Sequence, residues 1–452
     1  MSADASFRID AEFFKRSDLA RLQLIGRLHW DELCNVTKKI DVGFVGAMQT
    51  EYTDDAFSPP LLQTRNIQEF IVDDLDVIHI NEPFHNLLKK SQIHKYDILI
   101  ARSGSFGNAA IWLKDKVVNS SDIIIVEADK AKIDACFLVA VLNSHFGRFQ
   151  LERFASGAVQ GHVNLTILEH LKIPLLSLPF QKSIAQMIGK AYLSIEDAIG
   201  KYHEAEQMLL AELGFAGWSP TDDAVSVKSY SDFVSAGRFD AEYFQPRYEA
   251  IDKKIRGYHG GVMAASDALV PGLVNEDVNT KERYVELADI GANGEISGCM
   301  SATFGELPSR ARQRIEAGQV IVSSIEGSLD KCALVTTEYD KALCSTGFHR
   351  FCSTKINAET MLLLFKSWPI QQLMKRGCSG TILCGILPGE LANVPLPLVD
   401  FKVQRDLAAK VQSSFTLRAE SKRLLDLAKH AVEIAIERGE EMAIIAMKEI
   451  LQ

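Results

Sequence analysis

Three things are scarce in this chain, and each scarcity removes a class of function. Paired cysteines are missing. The eight present (Cys34, Cys136, Cys299, Cys332, Cys344, Cys352, Cys378, Cys384) form no CxxC pair, and no histidine stands at zinc-ligand spacing from them. Structural zinc takes its ligands as tight pairs, so no metal site is expected, and the thiols read as reduced and buried. Long apolar runs are missing too. No stretch approaches the roughly 20 residues that span a bilayer, and Met1 to Asp10 has no apolar signal region, so a cytoplasmic chain without membrane contact is expected. Positive charge is in deficit: 49 Lys and Arg against 59 Asp and Glu leave a net charge of −10. That balance argues against coating nucleic acid by bulk electrostatics, but not against touching it through local patches. Much of the acid falls in segments expected to face solvent, such as Asp73-Asp74, Asp222-Asp223 and Glu437 to Glu441.

Catalytic signatures are equally absent. There is no GxxxxGK[ST] loop, no GxGxxG after a strand, no HExxH and no GxSxG elbow. Ser58-Pro59-Pro60-Leu61 is not the [Asn/Asp]-Pro-Pro-[Phe/Tyr] segment of amino-methylating enzymes, because Ser58 presents neither amide nor carboxylate. The chain is expected to read a partner and not to catalyse, with no cofactor of its own.

What the chain does have is itself, twice. Arg8-Ile9-Asp10-Ala11-Glu12-Phe13-Phe14 returns as Arg238-Phe239-Asp240-Ala241-Glu242-Tyr243-Phe244. Asp97 to Ile100, a Gly/Ser turn and Ala109 to Trp112 return as Gln319 to Val322, a Gly/Ser turn and Cys332 to Val335. Ser156-Gly157 returns as Ser379-Gly380, Ile173-Pro174-Leu175 as Val394-Pro395-Leu396, and Gln181-Lys182 as Gln404-Arg405. Five landmarks in one order, offset by about 220 to 230 residues, mark a duplicated domain and not a short solenoid repeat. At 452 residues, with 47% hydrophobic and 24% charged residues, each copy can bury an ordinary core.

Each copy begins with a mixed α+β domain. Ile98 to Ile100, Ala109 to Leu113 and Asp122 to Val126 are short β-branched runs between Gly, Ser and Asn, and so read as strands. Phe137 through Phe154 has helical spacing. A change of period follows. From Gln181 to Leu213, Ile184, Met187, Ile188, Ala191, Ile195, Ala198, Ile199 and Tyr202 recur at three- and four-residue steps, and Gln404 to Ile436 repeats the pattern. Gly439 marks a break before a short final helix, Glu440 to Leu451. A narrow stripe on a long helix suits one partner helix, and the other copy is the obvious one. Paired antiparallel, helices of about 33 residues would make a spacer of roughly 50 Å at about 1.5 Å per residue. Packing of each helix on its own domain is the alternative.

The candidate contact residues lie in the recurring polar turns. Arg102, Ser103, Ser105 and Asn108 occupy the first Gly/Ser turn, and Ser324, Ser328 and Lys331 its counterpart. Glycine permits close backbone approach there, while these side chains can donate to phosphates or base edges. An ordinary hairpin turn is the plainer reading. Gln160, His162 and Asn164 stand in a second polar loop, Ser156 to Asn164, whose counterpart keeps its glycines and Thr381 but is otherwise apolar, with Lys375 and Arg376 just before it. Closing the domain onto its helix is the alternative role of this loop. Arg310 and Arg312, with Arg314, alternate in an expected loop or helix start and could grip phosphates, as could Lys89-Lys90, unless both simply form solvated faces. The Arg8 and Arg238 segments read as packing at each domain's entry.

On these landmarks the chain resembles the specificity subunit of type I restriction-modification systems over nearly its whole length. Ser156-Gly157 through Asn164, Ile173-Pro174-Leu175, Pro179 and Gln181 are similar to that family's exit from recognition domain to helix, and Val394-Pro395-Leu396 with Gln404 repeats it. The second copy departs by lacking the Gln and Asn of the first loop. The resemblance implies an α+β, pseudo-twofold fold. Target-recognition domains would occupy 1–178 and 219–400, followed by long helices at 179–218 and 401–452 that pair as an antiparallel coiled coil. It further implies a non-catalytic subunit that binds a bipartite, asymmetric site on double-stranded DNA. Such a subunit recruits two adenine-N6 methyltransferase subunits, which use S-adenosylmethionine, and nuclease/translocase subunits. A specificity-like subunit of another phage-defence complex, or a protein–protein scaffold that does not read DNA, are the alternatives.

Overall fold

The structure, a computed structural model, describes residues 13–75, 77–102, 107–155, 165–220, 223, 225–380 and 384–451. Its contacts divide the chain into two units, Met1–Ile195 with Arg418–Gln452, and Glu196–Leu417.

In the first unit a four-stranded antiparallel sheet contains β1 (Thr37–Val42), β2 (Ile98–Ala101), β3 (Ala109–Ile111) and β4 (Ile123–Ala128), in the order β1-β4-β2-β3. Successive side chains of a strand point to opposite faces. Ile98, Ile100, Ile111, Ile124 and Val126 therefore join Phe137 and Phe146 in a core under the helices. Leu99, Ala101, Trp112, Ile123 and Ile125 pack the other way, against Leu62, Ile93 and Val118. A sheet buried on both faces reads as unbroken apolar runs, which is why these strands are visible in the sequence. Val118 and Leu62 belong to a second, five-stranded sheet, in which Pro60–Leu62 and Val118–Ser120 run parallel. A two-stranded ladder, Trp30–Glu32 with Lys172–Pro174, closes the module.

Helix α1 (Ala135–Asn143) and helix α2 (His145–Ala155) replace the single helical run expected over Phe137–Phe154. The break is at Ser144, whose backbone is extended. Its hydroxyl donates to Val141 O and accepts from Gly147 N. Gly147 is required here, since a Cβ would meet Val141 O at 2.4 Å.

The second unit repeats this plan. β5 (Leu269–Val270), β6 (Val320–Ser323), β7 (Cys332–Leu334) and β8 (Phe348–Phe351) form an antiparallel sheet in the order β5-β8-β6-β7, position for position the order of the first. Val320 and Val322 face the helices with Phe351 and Phe365, while Ile321 and Ala333 face Val285 and Cys344. A second sheet again holds one parallel pair, Lys281–Val285 with Leu343–Ser345, and a short ladder again pairs Val262–Ala264 with Pro395–Pro397. Even the helix break recurs. Ser367 ends α3 (Ala358–Lys366), donates to Leu364 O, and precedes α4 (Trp368–Arg376). Burial pushes the Cys136, Cys332 and Cys344 thiols up to about 12. Cys378 is buried as well, but Cys352 is exposed and Cys34, Cys299 and Cys384 are half-buried, so the expectation of buried thiols holds for four of the eight.

Two long helices leave the modules, α5 (Leu178–Glu212, 35 residues) and α6 (Phe401–Arg438, 38 residues), and α7 (Glu440–Leu451) follows Gly439. Within the first unit Ile184, Ile188 and Ala191 of α5 share the helix-side core with Leu424, Ala428, Val432 and Ala435 of α6. Within the second, Tyr202, Ala205 and Leu209 share a core with Leu407 and Val411. There the Ser414 hydroxyl donates to Ala198 O at 2.7 Å and Lys410 pairs with Glu204 at 2.6 Å, so these two stretches run in opposite directions. Each stretch also packs on its module, so partner helix and module share the stripe.

One buried side chain fixes each helix to its module. Gln181 accepts from Asp134 N at 2.9 Å and donates to Leu176 O at 2.9 Å. Gln404 accepts from Asn357 N at 2.8 Å and donates to Lys355 O and Val399 O. Asp134 and Asn357 are the N-caps of α1 and α3, so the carboxamide ties the start of each long helix to the start of its module's first helix. A buried donor stripped of its partner costs about 1–3 kcal/mol. We expect Gln404→Leu, and separately Gln181→Leu, to lower the urea-unfolding free energy by about 2–4 kcal/mol, since each orphans a donor and at least one acceptor. A loss below about 0.5 kcal/mol, the range of a neutral surface change, would contradict the role assigned to these carboxamides.

Candidate nucleic-acid interface

The first polar turn leaves β2 at Arg102. Its guanidinium meets Asp122, a non-glycine residue at φ 53°, with Nη1 to Oδ1 at 2.8 Å. The Arg102 Nε is buried without a hydrogen-bond partner. Across the turn, Asn108 Oδ1 accepts from Arg148 of α2, which also approaches Glu69 at 3.9 Å. Glu69 in turn accepts from Lys429 of α6 at 2.6 Å. Buried Asn143 pairs with both the N–H and the C=O of Ala109, so the start of β3 is fixed from the helix layer. Ser103 and Ser105, together with Gln160, His162 and Asn164, lie outside the described residues.

In the second unit the Ser324 turn and the 379–387 loop, picked out separately in the sequence, come together. Ile325 bridges Gly385, Glu326 N–H donates to Cys384 O at 3.0 Å, and Ile386 N–H donates to Ser324 O at 2.8 Å. The Ser324 turn is thereby joined edge to edge with the hairpin in which Cys378–Ser379 pairs Gly385–Ile386. Glycine at 385 is what permits it, because a Cβ there would stand 2.7 Å from Ser324 O. A hydrogen bond from the Cys384 thiol to the Glu326 carboxylate raises that thiol above its ordinary range. Ser324 donates to Gly347 O, Ser328 shares a hydrogen bond with Ser323, and Lys331 donates to Ile290 O at 2.8 Å, so these three are engaged within the fold. Thr381 lies outside the described residues.

The arginine series sits not in a loop or helix start but in and beside an edge strand, Ala311–Arg314, with Ala311 and Gln313 buried and Arg312 and Arg314 half-buried. Period two, not helical spacing, accounts for the alternation. Arg310 is exposed, donates to the Tyr284 hydroxyl at 3.3 Å and lies 3.6 Å from Glu286. Arg312 stacks on Phe304 at 4.6 Å and donates to Asn275. Arg314 is clamped between Glu276 (2.7 Å) and Glu282 (2.8 Å), whose hydrogen bonds raise its already high pKa further. Lys90 pairs with Asp41 at 2.8 Å.

Arg376 has a role that sequence reasoning did not assign. Its guanidinium lies 4.3 Å from the Tyr243 ring centre and donates to Tyr243 O at 3.1 Å. Arg153 does the same to Phe13, at 3.6 and 2.6 Å. The readable signal was spacing: Arg153 and Arg376 are 223 residues apart, like Gln181 and Gln404. Both hold the entry segment, whose packing role was expected. Arg238 joins them, donating to Cys378 O at 3.0 Å and stacking on Tyr243 from 4.7 Å. Lys375, beside Arg376, is exposed. Among the described residues, Lys89, Lys90, Arg310 and Lys375 are thus the candidate cations that face solvent. No group of three or more His, Cys, Asp or Glu among them could hold a metal, and no helix among them is long and apolar enough to cross a membrane.

The fold defines a class: duplicated α+β modules, each locked to a long helix. Comparison with known proteins finds a likeness in the first module: residues 44–201 match the type I restriction modification DNA specificity domain. A protein of Methanocaldococcus jannaschii bearing the name type I restriction enzyme MjaX specificity subunit is 25% identical over 190 residues, 39% of this chain. The match spans 43% of that relative, less than half its length. Among solved structures, the type I restriction-modification S subunit from M. genitalium aligns over 94% of this chain and 96% of its own, at 14% identity and a TM-score of 0.38. The HsdS subunit from Thermoanaerobacter tengcongensis aligns over 91% and 97%, at 13% identity and a TM-score of 0.29.

The loop junction of the second unit makes a direct prediction. Gly385→Val must part the hairpin from the Ser324 turn, at an overpacking cost of about 1–3 kcal/mol. Hydrogen exchange is expected to quicken at Glu326 and Ile386 amides while the β6 amides stay protected. Unchanged protection at Glu326 and Ile386 would show that the junction does not depend on glycine.

Proposed function

We propose that this chain is the specificity subunit of a type I restriction-modification complex. Each α+β module reads one half of a bipartite, asymmetric DNA site. The long helices hold the modules apart as a pseudo-twofold antiparallel coiled coil and dock two adenine-N6 methyltransferase subunits, with nuclease/translocase subunits joining for restriction. The chain itself catalyses nothing and binds no cofactor; S-adenosylmethionine belongs to the methyltransferase subunits. The observation that carries this reading is the duplication. One copy bears the specificity-domain match, and the other repeats its strand order and helix lock. Two similar modules with differing polar loops suit two different half-sites. A helix of 35 residues, about 52 Å at 1.5 Å per residue, corresponds to about 15 base pairs. The acidic balance is accommodated if the methyltransferase subunits supply most phosphate contacts.

One observation favours a second reading, a scaffold that does not read DNA. Arg312, Arg314, Lys331 and Arg376 are all engaged within the fold. Genome-wide mapping of methylated adenines, with and without this gene, separates the two. A split motif that disappears on deletion is expected, together with co-purification of the neighbouring methyltransferase. A complex that forms while no motif depends on the gene would overturn DNA reading in favour of the scaffold.

A further inference from the structure

The segment from Val225 to Phe239 folds without burying itself. Helix Tyr230–Ala236 has seven residues, none of them buried, well short of the roughly 12–15 that hold a helix in water unaided. It is nevertheless closed at both ends. Ser229 and Asp232 form a reciprocal capping box, and Gly237 ends the helix in the left-handed conformation at φ 63°. Phe233 is its tether, stacked on Phe239 at 5.4 Å and edge-on to Phe244 at 5.0 Å. On the outside stand Val227, Tyr230 and Val234, which are 91%, 77% and 58% exposed. Tyr230 and Val234 stand four residues apart on one face of the helix, and Val227 lies just before its N-cap, Ser229. Val225 and Phe239 extend the exposed apolar surface, and clustered exposure of this kind marks a contact site where a lone exposed side chain would not.

Charge selects the occupant. Carboxylates flank the segment at Asp223, Asp232, Asp240 and Glu242. Lys228 pairs with Glu249, Arg238 with Asp240 and the Cys378 carbonyl, and Arg247 with Glu242, so from Asp223 to Glu249 five carboxylates stand against three cations and the excess is negative. Hydrogen bonds from Ser229 hold Asp232 below the usual carboxylate range, so it stays charged at neutral pH. Such a surface repels phosphates and attracts lysine and arginine. We infer that Val227, Tyr230 and Val234 form a docking ridge for a protein partner that offers an apolar groove rimmed by basic side chains.

This inference rests on the reading of the chain as one subunit of a larger complex. The test uses the full chain with Tyr230→p-benzoylphenylalanine, assembled with the methyltransferase and nuclease subunits on a duplex carrying the mapped site. Irradiation is expected to crosslink position 230 to one protein subunit, at a peptide bearing apolar residues beside Lys or Arg. Tyr230→Ala with Val234→Ala is expected to weaken binding of that subunit about tenfold or more, with the thermal midpoint of the free chain unchanged because neither side chain is part of its core. A crosslink to DNA, or none in an assembled complex, overturns the ridge alone. Failure of the complex to assemble overturns the specificity-subunit reading with it, and co-purification reports that separately.

Discussion

A carboxamide buried at the first turn of each long helix is the constraint on which the arrangement turns. Gln181 and Gln404 each satisfy a helix N-cap amide on one side and a chain-exit carbonyl on the other. A side chain that donates and accepts at once leaves little rotational freedom between module and helix. Leucine would pack as well by volume but would not specify an angle. Each amide thus holds the first helix of its module against the start of its long helix. Arg153 and Arg376 secure the opposite end of each chain path, pinning the entry segment by a hydrogen bond and a cation–π contact.

The sheet between two apolar layers explains how loops that differ so much can sit on modules that match so well. Each central strand is committed on both faces, to the helices on one side and to the second sheet on the other. Little of its sequence can vary, whereas the turns beyond its ends are free to change. In the second unit the Ser324 turn and the Gly385 hairpin are zipped by backbone hydrogen bonds, which demand small residues but no particular side chain. The acidic balance fits the same logic, since Lys90, Arg102, Arg310 and Arg314 each pair with a carboxylate within the fold and so add little to an outer potential.

Much of this was legible before any coordinates. The α+β class, the duplication and the long helices follow from apolar period and from landmarks such as Pro174 and Pro395, because buried strands and narrow helical stripes leave periodic marks. Ser144 and Ser367 were not legible. A serine that caps one helix and opens the next interrupts no apolar spacing, so Phe137 to Phe154 read as one helix. Arg310 to Arg314 were misplaced because three alternating cations around a glutamine carry no apolar signal of either period. The candidate site was least legible. Turn composition shows which residues can donate, but not whether a neighbour accepts first, and Lys331 and Arg376 were taken by carbonyls and a ring far away in sequence.

The central claim is that two modules read two things. It is tested most directly by replacing residues 219–400 with the corresponding module of another specificity subunit, leaving both long helices intact, and mapping the methylated sequence. The account predicts that one half of the split motif changes while the other half and the spacer length are retained. A change in both halves, or in neither, would contradict it.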